Sequence, residues 1–167
     1  EKFGIPRQSG LTENVISKIT FTEDYQDPDF FREIEKFTHL WLIWYFSEID
    51  KKEIKATVRP PKLGGNKRVG VFASRSPFRP NRIGISCVKL VQTEFNYKEG
   101  KSIFVSGADL MNGTPIIDIK PYLPYTDSKP DATNGFALDD INGLLDVTMQ
   151  KIREMIDVNT IIGDAIT

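Results

Sequence analysis

The apolar and polar positions of this chain fall into many short periods rather than a few long ones. Residues 39–46 read His-Leu-Trp-Leu-Ile-Trp-Tyr-Phe, apolar at both alternating sets of positions. Such a run predicts a strand buried on both faces. Residues 17–22, 54–58, 68–73, 83–91, 102–106 and 116–122 predict further strands, linked by Gly, Pro and Asn turns. Asp27-Pro28 pairs an N-cap with a proline at the first helical position, and Phe30, Ile34 and Phe37 follow at helical spacing, so a short amphipathic helix is predicted over 28–37. Leu145, Met149, Ile152 and Ile156 mark one more helix near the C-terminus. One internal helix among many short strands predicts a mainly β fold, a barrel or closed sheet with short flanking helices, over a doubly wound α/β sheet.

Length and composition fit that picture. The 167 residues suit one domain, and an apolar fraction of 40% with 27% charged residues is ordinary for a globular chain. Eleven Phe residues make much of the expected core aromatic. The longest apolar run, 40–46, is far shorter than the roughly 18 residues of a membrane span. No apolar h-region opens the chain, and Cys87 is the single cysteine, so a cytoplasmic location without disulfide or multi-cysteine zinc site is expected.

Charge changes the picture. The net value is −1, yet Arg59, Lys62, Lys67, Arg68, Arg75, Arg79 and Arg82 lie in one stretch without a single Asp or Glu, leaving 15 basic against 23 acidic residues elsewhere. A concentrated basic segment on an acidic body is the footprint of a phosphate or other anion partner, or else a solvated basic loop.

Familiar catalytic patterns are mostly missing. No Gly-x-Gly-x-x-Gly follows a strand, which argues against a Rossmann nucleotide site. Gly65 and Gly70 have P-loop spacing, but Val71 and Phe72 stand where Lys and Ser/Thr are required. Cys87 sits within an expected strand with no base beside it, as a structural thiol would. His39 is the only histidine, which excludes His-pair metal sites; it is either a satisfied core imidazole or a catalytic one, and no nucleophile-elbow motif accompanies it.

Four segments depart from plain strand and turn chemistry. Gly4-Ile-Pro-Arg-Gln8 and Arg59-Pro-Pro-Lys-Leu-Gly-Gly65 place polar and cationic groups on stiff loops. Ser74-Arg-Ser-Pro-Phe-Arg-Pro-Asn-Arg82 carries three arginines and two prolines, and Leu110-Met-Asn-Gly-Thr-Pro115 holds the Asn-Gly of a tight turn. Prolines beside arginines preorganise donors toward an anion.

With Val71-Phe-Ala-Ser-Arg-Ser-Pro-Phe-Arg-Pro-Asn-Arg-Ile-Gly-Ile-Ser86 and Asn112-Gly-Thr-Pro-Ile-Ile-Asp-Ile-Lys-Pro-Tyr122, the chain resembles the TrmO/YaeB-like methyltransferases that act on N6-threonylcarbamoyladenosine next to the tRNA anticodon. Pro6-Arg-Gln8, His39-Leu-Trp41 and Val58-Arg-Pro-Pro61 belong to the same resemblance, which covers roughly residues 1–136. It implies a non-Rossmann β-barrel methyltransferase domain over 1–136, with 137–167 either a helical extension of it or the start of a further region. It also implies S-adenosylmethionine as cofactor, tRNA as partner, and a homodimer with the cofactor near the subunit interface, with neither metal nor membrane. By position, Pro6, Arg7, Gln8, Ser47, Glu48, Arg75, Ile85, Leu110, Met111, Asn112 and Gly113 are the cofactor-contacting set. Arg59, Lys62, Lys67, Arg68, Arg79 and Arg82 are expected to bind RNA. The chain departs from the family pattern in lacking a first strand ahead of Glu1, in Arg82 for a common proline and in Asn112 for the usual aspartate.

The reaction so implied is in-line methyl transfer to a ureido nitrogen, dominated by alignment. The nitrogen must also lose a proton. Asp118, with Lys120 and Tyr122 on the same strand face, is a candidate base or a structural ion pair, and His39 completes the candidates; no catalytic base is assigned. Two rival readings remain: a non-enzymatic RNA-binding β-barrel, and a methyltransferase for a small molecule.

Overall fold

The computed structural model describes residues 8–11, 15–50, 52–98 and 100–137. The chain divides into two compact units, residues 1–129 and 130–167. Among the described residues the first unit holds seven strands: β1 (Ile16–Thr20), β2 (His39–Tyr45), β3 (Thr57–Val58), β4 (Val69–Gly70), β5 (Ile83–Asn96), β6 (Gly100–Ser106) and β7 (Ile116–Pro121). One helical turn, α1 (Pro124–Asp127), follows. In the second unit a 3-10 turn spans Gly135–Ala137, and the helix expected around residues 145–156 lies outside the described residues.

Five strands form one sheet in the order β1-β6-β5-β2-β7, and every pairing is antiparallel. The mainly β class stands, but the described sheet is not closed into a barrel: β1 and β7 are its edges. The edge strand β7 exposes a paired Asp118 and Lys120, the kind of charged edge that discourages further strand addition.

β2 is paired on both sides, as its run of β-branched and aromatic residues implies. Its two faces are not equally covered. Leu40, Leu42 and Trp44 are buried, whereas His39, Trp41, Ile43 and Tyr45 are only half-buried. A single sheet has one well-covered face, so an all-apolar strand need not be buried twice. The core on the covered face joins these three to Ile19, Phe31, Val88, Ile103, Val105 and Ala108. Fully burying a Leu, Ile or Val side chain contributes about 1.5–3 kcal/mol.

The predicted helix over 28–37 is instead two 3-10 turns, Pro28–Phe31 and Ile34–Lys36. Asp27 caps the first by accepting from the Asp29 amide at 2.9 Å. Glu33, at φ 73°, breaks the path between them. The buried side is Phe31, with Ile34 and Phe37 packed against the core, while Phe30 is 63% exposed. Positions 31, 34 and 37 repeat every three residues, the period of a 3-10 helix rather than an α-helix.

The basic segment also differs from expectation. Residues 54–58 and 68–73 contribute only the two-residue strands β3 and β4, which pair as a separate ribbon, and Val71–Ala73 form a 3-10 turn. Conversely, β5 continues to Asn96 through a bulge between Leu90 and Gln92.

Candidate functional site

A cleft of about 270 Å³ opens where the start of β5, the end of β2 and the 74–79 loop meet. Trp44, Phe46, Ile83 and Ile85 give it aromatic and aliphatic walls, and Gly84 lies between the two isoleucines. Gln8, Ser74, Arg75, Arg79 and Asp109 supply its polar groups.

Alternation along β2 and β5 builds the apolar part. Trp44 pairs with Gly84, and Tyr45 with Ile83. The indole of Trp44 lies against Gly84 so closely that a Cβ there would come within 2.4 Å of ring atoms. Glycine is therefore what lets the ring lie down at this point. Phe46 packs edge-on against Trp44, with ring centres 4.3 Å apart, slightly closer than the usual spacing of aromatic pairs.

Hydrogen bonds fix the polar part. Arg75 donates through Nη1 to Gln8 Oε1 at 2.6 Å. Arg79 donates to the carbonyls of Ser74 and Ser76 at 2.9 and 3.2 Å, which braces the loop it belongs to. Trp44 Nε1 donates to Ser86 Oγ at 2.9 Å, and the Ser86 hydroxyl donates to Asp109 Oδ1.

Of the expected cofactor set, the cleft brings together Gln8, Arg75 and Ile85 from three separate stretches of chain. Pro6 and Arg7 lie outside the described residues. Ser47 and Glu48 are exposed and follow Phe46 directly, and Leu110 to Gly113 follow Asp109; none of these lines the cleft itself.

The expected RNA-contacting cations separate. Arg59, Lys67 and Arg68 are exposed on the β3–β4 ribbon and its loop, Arg68 donating to Thr57 Oγ1 at 3.1 Å. Lys62 belongs to the 3-10 turn Pro61–Leu63 of that loop. Arg79 lines the cleft. Arg82 is not part of a basic surface: it is buried, with its guanidinium stacked on Tyr45 and bonded to the Ile49 carbonyl. Its φ of 48° turns the side chain inward at a position where a proline, locked near −65°, would direct the loop differently.

The candidate bases sit elsewhere. Asp118 pairs with Ile43, which pairs in turn with Ile85, so the carboxylate is two strands from the cleft's edge, about 10 Å at the usual strand spacing. Lys120 holds it in an exposed ion pair at 2.9 Å. That hydrogen bond outweighs the opposing effect of desolvation and, with the Ile119 amide, lowers the Asp118 pKa and weakens it as a base. Tyr122 and His39 stack edge-on with centres 6.2 Å apart, and Tyr122 also meets Trp41 at 5.6 Å. His39 Nδ1 lies 3.0 Å from Thr38 Oγ1. Cys87 is half-buried, and burial, then the Asp127 charge, pushes its thiol up, opposite to an activated nucleophile.

Sequence reasoning missed Trp44, Phe46, Ser86 and Asp109. The first two belong to the run expected as a buried strand, and Ser86 closes the 71–86 motif of the family resemblance without a role of its own. The signal for Asp109 was its place one residue before the Leu110–Gly113 turn.

The family model for the tRNA-methyltransferase O N-terminal domain matches residues 1–128. The chain belongs to this family. It is 44% identical over 137 residues to the tRNA (adenine(37)-N6)-methyltransferase of Escherichia coli K12, a match covering 82% of this chain and 58% of that protein. It is 31% identical over 132 residues to a Pyrococcus abyssi protein named "Probable S-adenosyl-L-methionine-binding protein", covering 79% of this chain and 66% of the relative. The crystal structure of TrmO from Pseudomonas aeruginosa superposes with a TM-score of 0.64 at 34% identity, covering 84% of this chain and 56% of that one. The chain thus spans somewhat over half the length of TrmO from Pseudomonas and of the Escherichia coli relative.

Proposed function

We propose that this member of the TrmO family binds S-adenosylmethionine in the cleft and methylates N6 of the adenosine at tRNA position 37, with N6-threonylcarbamoyladenosine as the acceptor. The observation that carries this reading is the convergence of Gln8, Arg75 and Ile85 on one cleft in a chain of this family. Relatives named as tRNA (adenine(37)-N6)-methyltransferases support the reaction and the position.

The cleft's own chemistry suits such a cofactor. Trp44, Phe46, Ile83 and Ile85 offer apolar surface to an adenosine, and Arg75, oriented by Gln8, offers a fork of donors to a carboxylate. When bound, S-adenosylmethionine supplies an electrophilic methyl group. The residues present bind and align: Arg79 stiffens the loop that carries Arg75, and the aromatic wall excludes water. Alignment is what an in-line transfer chiefly needs.

The exposed cations Arg59, Lys67 and Arg68 form the RNA-binding part of the proposal, joined by Lys62 of the same loop. Assembly as a cytoplasmic homodimer with the cofactor near the interface belongs to it as well. Ile83 and Ile85 of the cleft wall, 45% and 49% exposed, support a partner surface at its rim.

The test is nucleoside mass spectrometry of tRNA from cells with and without the gene. Loss of the N6-methylated threonylcarbamoyl nucleoside, with its unmethylated form accumulating, is expected; an unchanged profile overturns the assignment. Calorimetry separates the RNA-binding alternative, since a pure binding module gives no heat with S-adenosylmethionine or its demethylated product.

A further inference from the structure

Asp109 is the one carboxylate on the cleft wall among the described residues, and it shares the wall with Arg75 and Arg79. It forms no ion pair with either. Arg75 is directed to Gln8 and Arg79 to two backbone carbonyls, so charges of both signs face one space without neutralising each other.

Asp109 is also held from behind. Ser86 on β5 is fully buried, accepts from the Trp44 indole and donates to Asp109 Oδ1. Trp44 in turn rests on Gly84. At Gly107, with φ 81°, the chain turns out of β6, Ala108 is buried, and Asp109 follows it to the cleft. This arrangement fixes one carboxylate oxygen and leaves Oδ2 without a protein partner among the described residues. A carboxylate beside guanidinium groups with which it forms no ion pair matches a ligand carrying both charges close together, which is the pattern of an α-amino acid. A ribose diol would make no use of the arginines, and a sulfonium alone would leave them unmatched.

We infer that Asp109 binds the α-ammonium group at the amino-acid end of the cofactor, opposite Arg75 at the carboxylate, with Ser86 and Trp44 as positioning residues behind it. This rests on the cofactor reading of the cleft given above.

The test is calorimetry on the 167-residue chain with three ligands: S-adenosylmethionine, S-adenosylhomocysteine, which lacks the sulfonium charge, and 5′-methylthioadenosine, which lacks the amino-acid end. In Asp109→Asn the first two should each weaken about ten- to a hundredfold, the range for a hydrogen bond to a charged group. 5′-Methylthioadenosine should bind as in wild type, which also reports that the variant is folded. Parallel weakening of 5′-methylthioadenosine overturns the assignment, because the nucleoside half or the fold is then what Asp109 serves. Weakening of S-adenosylmethionine alone overturns it in favour of the sulfonium. Unchanged affinity for all three overturns it outright. A wild-type chain that binds none of them overturns the cofactor reading and this inference with it.

For the positioning role, Ser86→Ala should weaken S-adenosylhomocysteine severalfold in wild type and add nothing in Asp109→Asn. Equal weakening in both backgrounds removes Ser86 from the role. Trp44→Phe, which loses the N–H together with part of the ring surface over Gly84, should weaken S-adenosylhomocysteine at least as much as Ser86→Ala.

Discussion

The guanidinium carbon of Arg82 lies 4.6 Å from the centre of the Tyr45 ring, and the same group donates to the carbonyl of Ile49. The Phe46 amide returns a bond to the Arg82 carbonyl at 2.9 Å. One buried residue thus ties the end of β2 and the 46–49 turn to the start of β5. It is an internal clamp, although it ends the most cationic stretch of the sequence.

Arg82→Ala should therefore act on stability rather than on RNA. It loses a cation–π contact and leaves a carbonyl without its donor, together about 1–3 kcal/mol. Urea denaturation should show that loss as a lower midpoint with an unchanged slope. A tRNA-binding salt slope that fell along with the midpoint would put the guanidinium back on the RNA surface.

Lys67→Ala with Arg68→Ala should do the reverse, on the proposed RNA role. Both are exposed on the ribbon, so stability should move by less than about 0.5 kcal/mol each. Each phosphate contact on single-stranded RNA contributes about −0.7 to the log–log salt slope, so the slope should flatten by roughly one unit or more. Filter binding of tRNA at several salt concentrations measures it.

Gly84→Ala should damage the cleft from within. Its new methyl would meet the Trp44 indole at 2.4 Å, and overpacking of this kind costs about 1–3 kcal/mol. A displaced Trp44 also loses Ser86, so affinity for S-adenosylhomocysteine should fall together with the melting temperature. A variant with wild-type melting and binding would mean that the ring moves aside freely.

Acid should loosen the attachment of α1. Asp127 accepts from the Leu123 amide and from Trp41 Nε1, and these bonds lower its pKa. Its folded value therefore lies below its unfolded one, so its contribution is complete above the usual carboxylate range. That contribution is lost as pH falls through the lowered folded value. Comparing unfolding free energy from pH 7 down to pH 2, the decline below about pH 5 should be shallower in Asp127→Asn than in wild type.

Much of the fold was legible in the sequence. The strands β2, β5 and β7 follow from β-branched and aromatic runs bounded by turns, because that signal depends on local composition. Sheet closure was not legible, since the same alternation serves an open sheet with one covered face and a barrel. The 28–37 segment was misread because Phe30 was taken for its buried side, whereas Phe31, Ile34 and Phe37 carry the period of three. In the site, Gln8, Arg75 and Ile85 came from the family resemblance and meet at the cleft. The pairing of Ser86 with Asp109 could not be read, because it is a hydrogen bond between residues on different elements; only the place of Asp109 beside the Leu110–Gly113 turn pointed toward the site. Arg82 was misread for a related reason: formal charge does not reveal which way a side chain turns, and a φ of 48° turned this one inward.

The cleft takes its walls from points between Gln8 and Asp109 that meet only once β2 has paired with β5. No contiguous peptide of the chain carries a rudimentary version of it. Ligand affinity is therefore conditional on tertiary assembly, and by linkage any occupant raises the free energy of unfolding in proportion to the logarithm of its concentration. Thermal melting with increasing ligand would read that coupling without any catalytic assay. The start of ligand binding during refolding would likewise time the closure of the β2–β5 ladder, making a small molecule a clock for the slow, long-range step of this fold.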